Sequence, residues 1–320
     1  MRGCYRMLVA TCLALAATAA FADTYPSKPI TIVVPFAAGS GTDSIARIVG
    51  QQLSVAFNQG VVIENKVGAS GVIAASYVAR SAPDGYTLLM ATNSTHSANP
   101  SLFKSLPYDP VKDFAPVARA GSYVFILVVN PEIPAKSLPE LVAYAKAHPG
   151  KLTYASGNTT GIVAGETLKR RGGIDVLHIP YKSSPPALND VIGGRVSMMF
   201  IDLAPGLEHV RAGTLRALAV TTRERSALLP DLPSLHEAGI AGYDVTSWAG
   251  LFAPAGTPPE IVARLNDEMR KIIANPETKA RIAVTGFDAF SGPPETLAAF
   301  VQSELAAWSK LIKDAGIEPP

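Results

Sequence analysis

Short apolar runs alternate with helical patterns along most of the chain. The first apolar run, ITIVVPF at 30–36, leads into the small-residue loop AAGSG at 37–41 and then into a helix start at Thr42. A β-branched run of this length predicts a strand buried on both faces of a parallel sheet. We expect Thr42 or Asp43 to cap the helix. Its apolar face is predicted to comprise Ile45, Ile48, Val49, Leu53 and Phe57.

A second unit of the same kind occupies residues 152–173, which read LTYASGNTTGIVAGETLKRRGG. A strand again runs into a Ser-Gly loop, a threonine cap and a helix. This helix ends in Lys169, Arg170 and Arg171 before two glycines, and both features favour a helix C-terminus. Each half of the chain therefore contains one strand–loop–helix unit, and two such units could face each other across a cleft.

The remaining pattern predicts an α/β fold with parallel sheets. About 300 residues suit two lobes better than one core. We expect residues 1–22 to be a signal peptide, 23–122 the first part of lobe one, 123–248 lobe two, and 249–320 a return to lobe one.

Residues 100–116 are rich in proline and predict surface turns, and the pattern of all residues after Pro258 predicts helix. Further strands are expected at 61–64, 87–91, 123–129, 176–180, 196–201, 215–221 and 250–253. Further helices are expected at 70–82, 138–147, 185–192, 207–212, 260–274, 276–284 and 294–315.

The N-terminal segment has the pattern of a secretory signal peptide. Arg2 and Arg6 precede an apolar stretch from Met7 to about Ala17, and Ala20-Phe21-Ala22 fits a cleavage site. We expect cleavage after Ala22 and export to the periplasm. The two arginines account for the whole net charge of +2, and both cysteines lie in this segment. The mature chain is then formally neutral, which argues against nucleic acid as a partner.

The loop at 37–41 places glycines before the first N–H groups of a helix, which is the chemistry of an anion site. A phosphate loop would need a lysine after the glycines, and a dinucleotide fingerprint would need glycine at Ser44. A carboxylate is the simplest remaining ligand, although a tight turn with no ligand explains the same residues. The five histidines show no metal-ligand spacing, so no metal or cofactor is expected. No Gly-x-Ser-x-Gly elbow is present, so we do not expect an enzyme.

Several motifs taken together carry a family resemblance. They are VPFAAGSGTDSIAR at 34–47, PDGYTLLMAT at 83–92, YDPVKDFAPVA at 108–118, HIPYKSSPPALNDVIGGRVSMMF at 178–200, and WAGLFAPAGTPPEIVARLNDEM at 248–269. In this order they are similar to the Bug, or TctC-like, extracytoplasmic receptors of tripartite tricarboxylate transporters. The resemblance implies a two-lobed periplasmic binding protein of the type II kind, whose cleft closes on a small carboxylate. It also implies transporter subunits as membrane partners, and we expect a monomer.

The resemblance also implies which residues hold the ligand. In the first lobe they are Phe36, Ala38, Gly39, Ser40, Gly41, Thr42 and Asp43, with Asn93, Ser94 and Thr95 on a neighbouring loop. In the second lobe they are Ser156, Asn158, Thr159 and Thr160. Asp202 resembles the position that helps to choose the other end of the ligand, and it also suits a helix cap for Leu203 onward. For Asp43 the cap interpretation is preferred, because a carboxylate repels a carboxylate ligand.

Two alternatives to transport stay open at this point. A sensing receptor would use the same closing cleft but would contact a signalling protein. An exported hydrolase would need a nucleophile and a base, which can assemble from distant positions of a chain.

Overall fold

The computed structural model describes residues 25–318, so the predicted signal peptide and its cleavage after Ala22 lie outside the described residues. The helices are α1 (Gly41–Phe57), α2 (Val72–Ala79), α3 (Asn99–Leu102), α4 (Leu138–Ala147), α5 (Thr159–Gly172), α6 (Ser184–Ile192), α7 (Leu203–Arg211), α8 (Pro259–Ala274), α9 (Pro276–Ala283) and α10 (Pro294–Ala315). The strands are β1 (Ile30–Val34), β2 (Val61–Asn65), β3 (Thr87–Thr92), β4 (Phe114–Tyr123), β5 (Phe125–Val129), β6 (Leu152–Ser156), β7 (Val176–Pro180), β8 (Met198–Asp202), β9 (Arg216–Val220), β10 (Ser247–Pro254) and β11 (Phe287–Ala289). A 3₁₀ turn occupies Ala69–Gly71, and a π-helical turn occupies Ser94–Ala98. Across residues 25–318, the helices all fall short of the length and apolarity that crossing a membrane requires.

The first sheet has the strand order β11-β4-β10-β3-β1-β2. Strands β2, β1 and β3 are parallel, whereas β10, β4 and β11 join it antiparallel. In β1 the side chains of Ile30, Ile32, Val33 and Val34 are fully buried, as the apolar run predicts for a strand covered on both faces. Helices α1 and α2 pack on this sheet and form lobe one with it.

The second sheet has the strand order β7-β6-β8-β5-β9. Strands β7, β6 and β8 are parallel, and β5 and β9 are antiparallel to their neighbours. All five residues of β5 are buried, and α5 and α7 pack against the sheet. The carboxyl ends of β6 and β8 carry Ser156 and Asp202, so both residues lie at one edge of this sheet.

The predicted α/β fold is confirmed, but both sheets are mixed: β4, β10 and β11 are antiparallel in the first sheet, and β5 and β9 are antiparallel in the second. Strand β4 leads the chain out of the first sheet and β10 brings it back, with the whole second sheet between them. The chain between β4 and β10 builds the second sheet and does not cross over the face of the first, so these two strands can pair antiparallel. The lobe boundaries at 123 and 248 are close to these passages but stay a prediction.

Three element predictions were also wrong in detail. Residues 114–116 begin the long strand β4, although the prolines of the stretch 100–116 suggested turns only. Phe287–Ala289 forms an edge strand within the stretch predicted as all helix. Helix α2 begins at Val72 because Ala69 and Ser70 take positive φ values of 47° and 50°, which end regular helix there. Helix α10, by contrast, has the predicted bounds, Pro294–Ala315.

Candidate ligand-binding site

Helix α1 begins at the carboxyl end of β1, where the chain turns through residues 37–40. The cap is Ser40, whose Oγ accepts a hydrogen bond from the Asp43 N–H at 3.2 Å. The predicted cap at Thr42 or Asp43 was therefore wrong, because the helix starts one residue earlier than Thr42. In the part of the chain that the structure describes, no capping side chain or backbone carbonyl accepts from the N–H groups of Gly41 and Thr42, which precede the first helical hydrogen bond. Residues 37–43 are called the first loop below.

Helix α5 begins in the same way at the carboxyl end of β6. Asn158 is its cap, and the Asn158 Oδ1 accepts a hydrogen bond from the Gly161 N–H at 2.8 Å. The N–H groups of Thr159 and Thr160 then stand in the positions that Gly41 and Thr42 hold in α1. Residues 156–160 are called the second loop below. Each lobe thus supplies one helix N-terminus with two backbone donors from which no backbone carbonyl among residues 25–318 accepts.

Side chains of the two lobes meet directly between these helix ends. The Asn93 Nδ2 donates to the Thr160 Oγ1 at 2.9 Å, and the Thr159 Oγ1 donates to the Ser94 Oγ at 2.6 Å. Asn93 Oδ1 also accepts a hydrogen bond from Ser247, the first residue of β10. Asn93, Ser94, Thr159 and Thr160 are at most 1% exposed. The cleft is therefore closed in this structure, and hydroxyl and amide groups line the contact.

Ser183 joins the contact, although sequence reasoning missed it. It precedes α6, and its Oγ accepts a hydrogen bond from the Ala37 N–H of the first loop at 3.0 Å. Ser183 has extended backbone at the cap position but makes no capping bond, because Pro185 and Pro186 lack the N–H groups that a cap normally holds. A serine that stands two residues before a pair of prolines is the signal that could have identified a hydroxyl free to reach another lobe.

Asp43 serves the first loop rather than the cleft. Its carboxylate accepts hydrogen bonds from the Arg47 Nε at 2.8 Å, the Asn65 Nδ2 at 2.8 Å and the Gly39 N–H at 3.0 Å. Burial opposes the charge, yet these donors lower the pKa of Asp43 below its ordinary value. The Asp43 carboxylate is therefore charged, and its hydrogen bonds all come from groups of its own lobe. These bonds stiffen the turn of the first loop.

Asp202 lies at the end of β8, and its carboxyl group differs from that of Asp43 in its partners, in the lobe that it faces and in the direction of its pKa shift. It occupies the cap position of α7 but makes no capping hydrogen bond, so the cap interpretation of its side chain was wrong. The carboxyl group instead faces lobe one, where a Cβ added to Gly41 would be 3.0 Å from its Cγ. Burial raises the pKa of Asp202 to about 7, and the N–H groups of Asp202 and Gly41 only partly offset this.

The remaining predicted residues lie around this contact. Ala38 and Gly39 are on the exposed outside of the first loop, and the Phe36 carbonyl accepts a hydrogen bond from Asn65 at 2.8 Å. The Thr95 hydroxyl is held within its own turn by the Thr92 carbonyl at 3.1 Å. Ser156 hydrogen-bonds His178 Nε2 at 2.6 Å, and His178 stacks on Tyr154. A cavity of about 450 Å³ opens beside the first loop and is walled by one face of α7 and by residues 284–285.

Known proteins share this architecture. Residues 45–317 match the family described as "Tripartite tricarboxylate transporter family receptor". The protein BugT of Bordetella pertussis is 36% identical over 299 residues, which cover 92% of this chain and 91% of BugT. The structure of Rpa4515 from R. palustris with adipate is 36% identical, with a TM-score of 0.90, and the match covers 92% of this chain and 100% of that one. The structure of MatC from Rhodopseudomonas palustris with bound malate is 33% identical, with a TM-score of 0.83, over 90% of this chain and 100% of that one.

These matches confirm the family that the motifs predict. They extend over almost all the described residues, and the two solved structures share the arrangement of both lobes. The chain belongs to the tripartite tricarboxylate transporter receptors of the TctC and Bug type, and it has their two-lobed periplasmic binding protein fold.

Proposed function

We propose that this chain captures a small organic carboxylate between its two lobes in the periplasm and delivers it to a membrane transporter of the tripartite tricarboxylate type. The observation that carries the proposal is the pairing of two helix N-termini, one from each lobe, across a buried polar contact. Four backbone donors, at Gly41, Thr42, Thr159 and Thr160, lie at these ends. Adipate and malate in the similar structures are carboxylates of the size that such a pair of ends suits.

The chemistry of the cleft fits an anion held without a cationic side chain. Helix N-termini favour negative charge through the aligned peptide dipoles, and N–H donors to a carboxylate form charge-assisted hydrogen bonds. Ser40, Ser94 and Ser183 add hydroxyl groups that are at least 97% buried, so water competes poorly with a bound anion. We therefore keep the predicted first-loop and second-loop residues other than Asp43 as the proposed ligand-binding set and add Ser183 to it.

Closure of the cleft is the proposed signal to the membrane partner. The chain passes between the sheets at 123–125 and again before Ser247, so these two segments form the proposed hinge between lobe one, residues 23–122 and 249–320, and lobe two, residues 123–248. Rotation about such a hinge would separate Thr160 from Asn93 and admit the ligand. A sensing receptor would use the same motion, and the genes beside this one, for a transporter or for a sensor kinase, discriminate the two roles.

One contact favours a second candidate, an exported hydrolase. Ser156 and His178 are 2.6 Å apart, which is the distance between a nucleophile and its base. Burial lowers the pKa of His178, so the ring is neutral and can accept a proton. However, the carboxylate beside it, Glu166, accepts its 2.6 Å hydrogen bond from Tyr154 and does not orient the His178 ring. We therefore prefer the receptor.

The test is calorimetric titration of the purified protein with adipate and with malate, after unfolding and refolding to remove any ligand carried through purification. We expect saturable binding of at least one acid, with no product after prolonged incubation. Ester or amide turnover that Ser156→Ala abolishes would favour the hydrolase. Binding of neither acid, nor of any member of a wider panel of carboxylates, would contradict the receptor.

A further inference from the structure

Asp202 has a buried carboxyl group that does not cap the helix that follows it. It is 5% exposed and occupies the cap position of α7, yet its side chain makes no capping bond. A cap side chain normally accepts from the second or third helical N–H, and the third residue of α7 is Pro205, which has none. The Leu203 N–H is already bonded to the Val124 carbonyl at 2.9 Å. Asp202 is thus free to face the other lobe.

The group that Asp202 faces is the N-terminus of α1. Gly41 is the first residue of that helix, and a Cβ built on it would lie 3.0 Å from the Asp202 Cγ and 3.2 Å from its Oδ1. The backbone N–H of Gly41 favours the charged form of Asp202. A carboxylate of lobe two therefore sits where the dipole and the first backbone donors of α1 attract an anion.

No cation among the described residues balances this carboxylate. From α1, Asp43 is the charged group at that end, and its carboxylate is held by Arg47, Asn65 and Gly39. From β4, the buried Tyr123 hydroxyl is near enough for Asp202 to help raise the pKa of Tyr123, although burial is the main cause. On α7 itself, Glu208 and Arg211 lie beyond the first turn and face the cavity beside the first loop.

We propose that Asp202 is an internal competitor for the ligand: its carboxylate occupies the anion position at the N-terminus of α1, and a bound carboxylate must displace it or find it protonated. The inference rests on the proposed function, since it concerns the same cleft. It makes Asp202 a specificity-determining residue that weakens the binding of carboxylate ligands at alkaline pH. An Asp202 that paired with an amino group of the ligand would act in the opposite direction.

The sign of the pH dependence follows from the position of Asp202. Below its pKa the neutral carboxyl does not repel the ligand, whereas above it two carboxylates compete for one helix end. With the pKa raised to about 7, binding to the wild-type protein should weaken as the pH rises from 6 to 8. If binding requires the protonated form, the loss is about tenfold at pH 8 and negligible at pH 6.

The experiment measures the dissociation constants of adipate and malate at pH 6, 7 and 8 for three refolded proteins: wild type, Asp202→Asn and Glu208→Gln. Glu208→Gln removes the same charge from an exposed position of the same helix. We expect Asp202→Asn to bind about tenfold more tightly than wild type at pH 8 and about equally at pH 6. Titration of the ligand itself cancels in this ratio, and Glu208→Gln should keep a ratio near one throughout.

The outcomes separate the inference from the function it rests on. Equal binding by all three proteins at every pH would overturn the competitor role while leaving the receptor intact. Weaker binding by Asp202→Asn would also overturn it, because the wild-type carboxyl group would then help to hold the acid instead of competing with it. No binding by any of the three would contradict the receptor and the inference together. Asp202→Ser, which also removes the charge, replaces Asp202→Asn if thermal unfolding shows that the asparagine variant is misfolded.

Discussion

The two loops that face each other across the cleft have the same construction but meet different chemistry. In both, the side chain of the cap residue accepts a hydrogen bond from the third helical N–H. The cap is Ser40 in α1 and Asn158 in α5. The first two donors of α5 belong to threonines whose hydroxyls bond neutral partners, Ser94 and Asn93. The same end of α1 meets a carboxyl group, Asp202. One half of the site is thus held by neutral hydrogen bonds, and the other half by a group that titrates.

The glycines of the two loops differ in a corresponding way. A Cβ on Gly157 would lie 2.2 Å from the backbone N of Ser184 and 2.3 Å from the backbone carbon of Ser183. A Cβ on Gly41 would instead meet the Asp202 side chain at 3.0 Å. Backbone cannot move aside without disturbing α6, whereas a side chain can rotate. The second loop is therefore rigidly packed within its own lobe, and the first loop is packed against a movable group of the other lobe.

The largest expected effect is on the second loop. Gly157→Ala should lower the free energy of unfolding by about 3 kcal/mol or more, because the new methyl group overlaps the backbone before α6. Thermal unfolding measures the loss. Gly172→Ala at the other end of α5 is the matched control, since its Cβ would find ordinary contacts at 3.7 Å. A melting temperature unchanged from wild type in Gly157→Ala would contradict the rigid packing.

The next effect concerns the titrating group of the first loop. Because the folded pKa of Asp202 is raised above the unfolded one, its contribution to stability is present below about pH 4 and is lost as the pH rises through about 7. Asp202→Asn should therefore be more stable than wild type at pH 8, on the order of 1–3 kcal/mol. The two should converge as the pH falls toward 4. Melting temperatures of both proteins measured from pH 4 to pH 8 test this, and parallel curves would refute it.

A smaller effect is expected for Gly41→Ala, which changes binding more than stability. The added methyl group takes up space at the first N–H donors of α1, where the ligand carboxylate would lie, so affinity for adipate or malate should fall about tenfold, or 1.4 kcal/mol. Gly60→Ala is the control, because its Cβ would meet only Pro29 at 3.6 Å. Calorimetric titration supplies both affinities. An affinity equal to wild type in Gly41→Ala would place the ligand away from α1.

The smallest effect is expected at the neutral contact between the lobes. Thr160→Val keeps the shape of the side chain but removes its hydrogen bonds with Asn93, which retains its bond from Ser247. The free energy of unfolding should fall by about 1 kcal/mol. Thr214→Val, which loses a hydrogen bond on the exposed surface, is the comparison. If the two valine variants have the same melting temperature, the Asn93 contact does not stabilise closure.

Local signals predicted much of this architecture. The apolar runs identified β1 and β5. The predicted bounds of α10 are the observed ones, and Leu297, Val301 and Trp308, which stand at helical spacing in the sequence, are buried on it. The two helix starts were predicted because glycine and hydroxyl residues follow a strand in both. These features depend on residues that are neighbours in the sequence, so one amino-acid sequence is enough to identify them.

Contacts between distant residues were not predictable in the same way. Strand β4 contains Pro116 and Gly121, which suggest turns, but β10 and β11 cover it on both sides and supply its hydrogen bonds. The partnership of Ala37 with Ser183, and that of Gly41 with Asp202, joins positions more than 140 residues apart. Only the closed arrangement of the lobes brings these pairs together, and no local pattern encodes it.

The hydrogen bond between Asn93 and Ser247 connects the contact between the lobes to a tryptophan whose fluorescence can be measured. Asn93 contacts Thr160 of the other lobe, and Ser247 directly precedes Trp248, whose ring is 1% exposed among His96, Phe252 and Phe300. Opening of the cleft would release Asn93 from Thr160 and alter the setting of this tryptophan. The chain has only one other tryptophan, Trp308, which is buried within α10 and bonds Glu304 of the same helix. The emission of Trp248 therefore gives the molecule an intrinsic reporter of lobe closure that needs no attached dye.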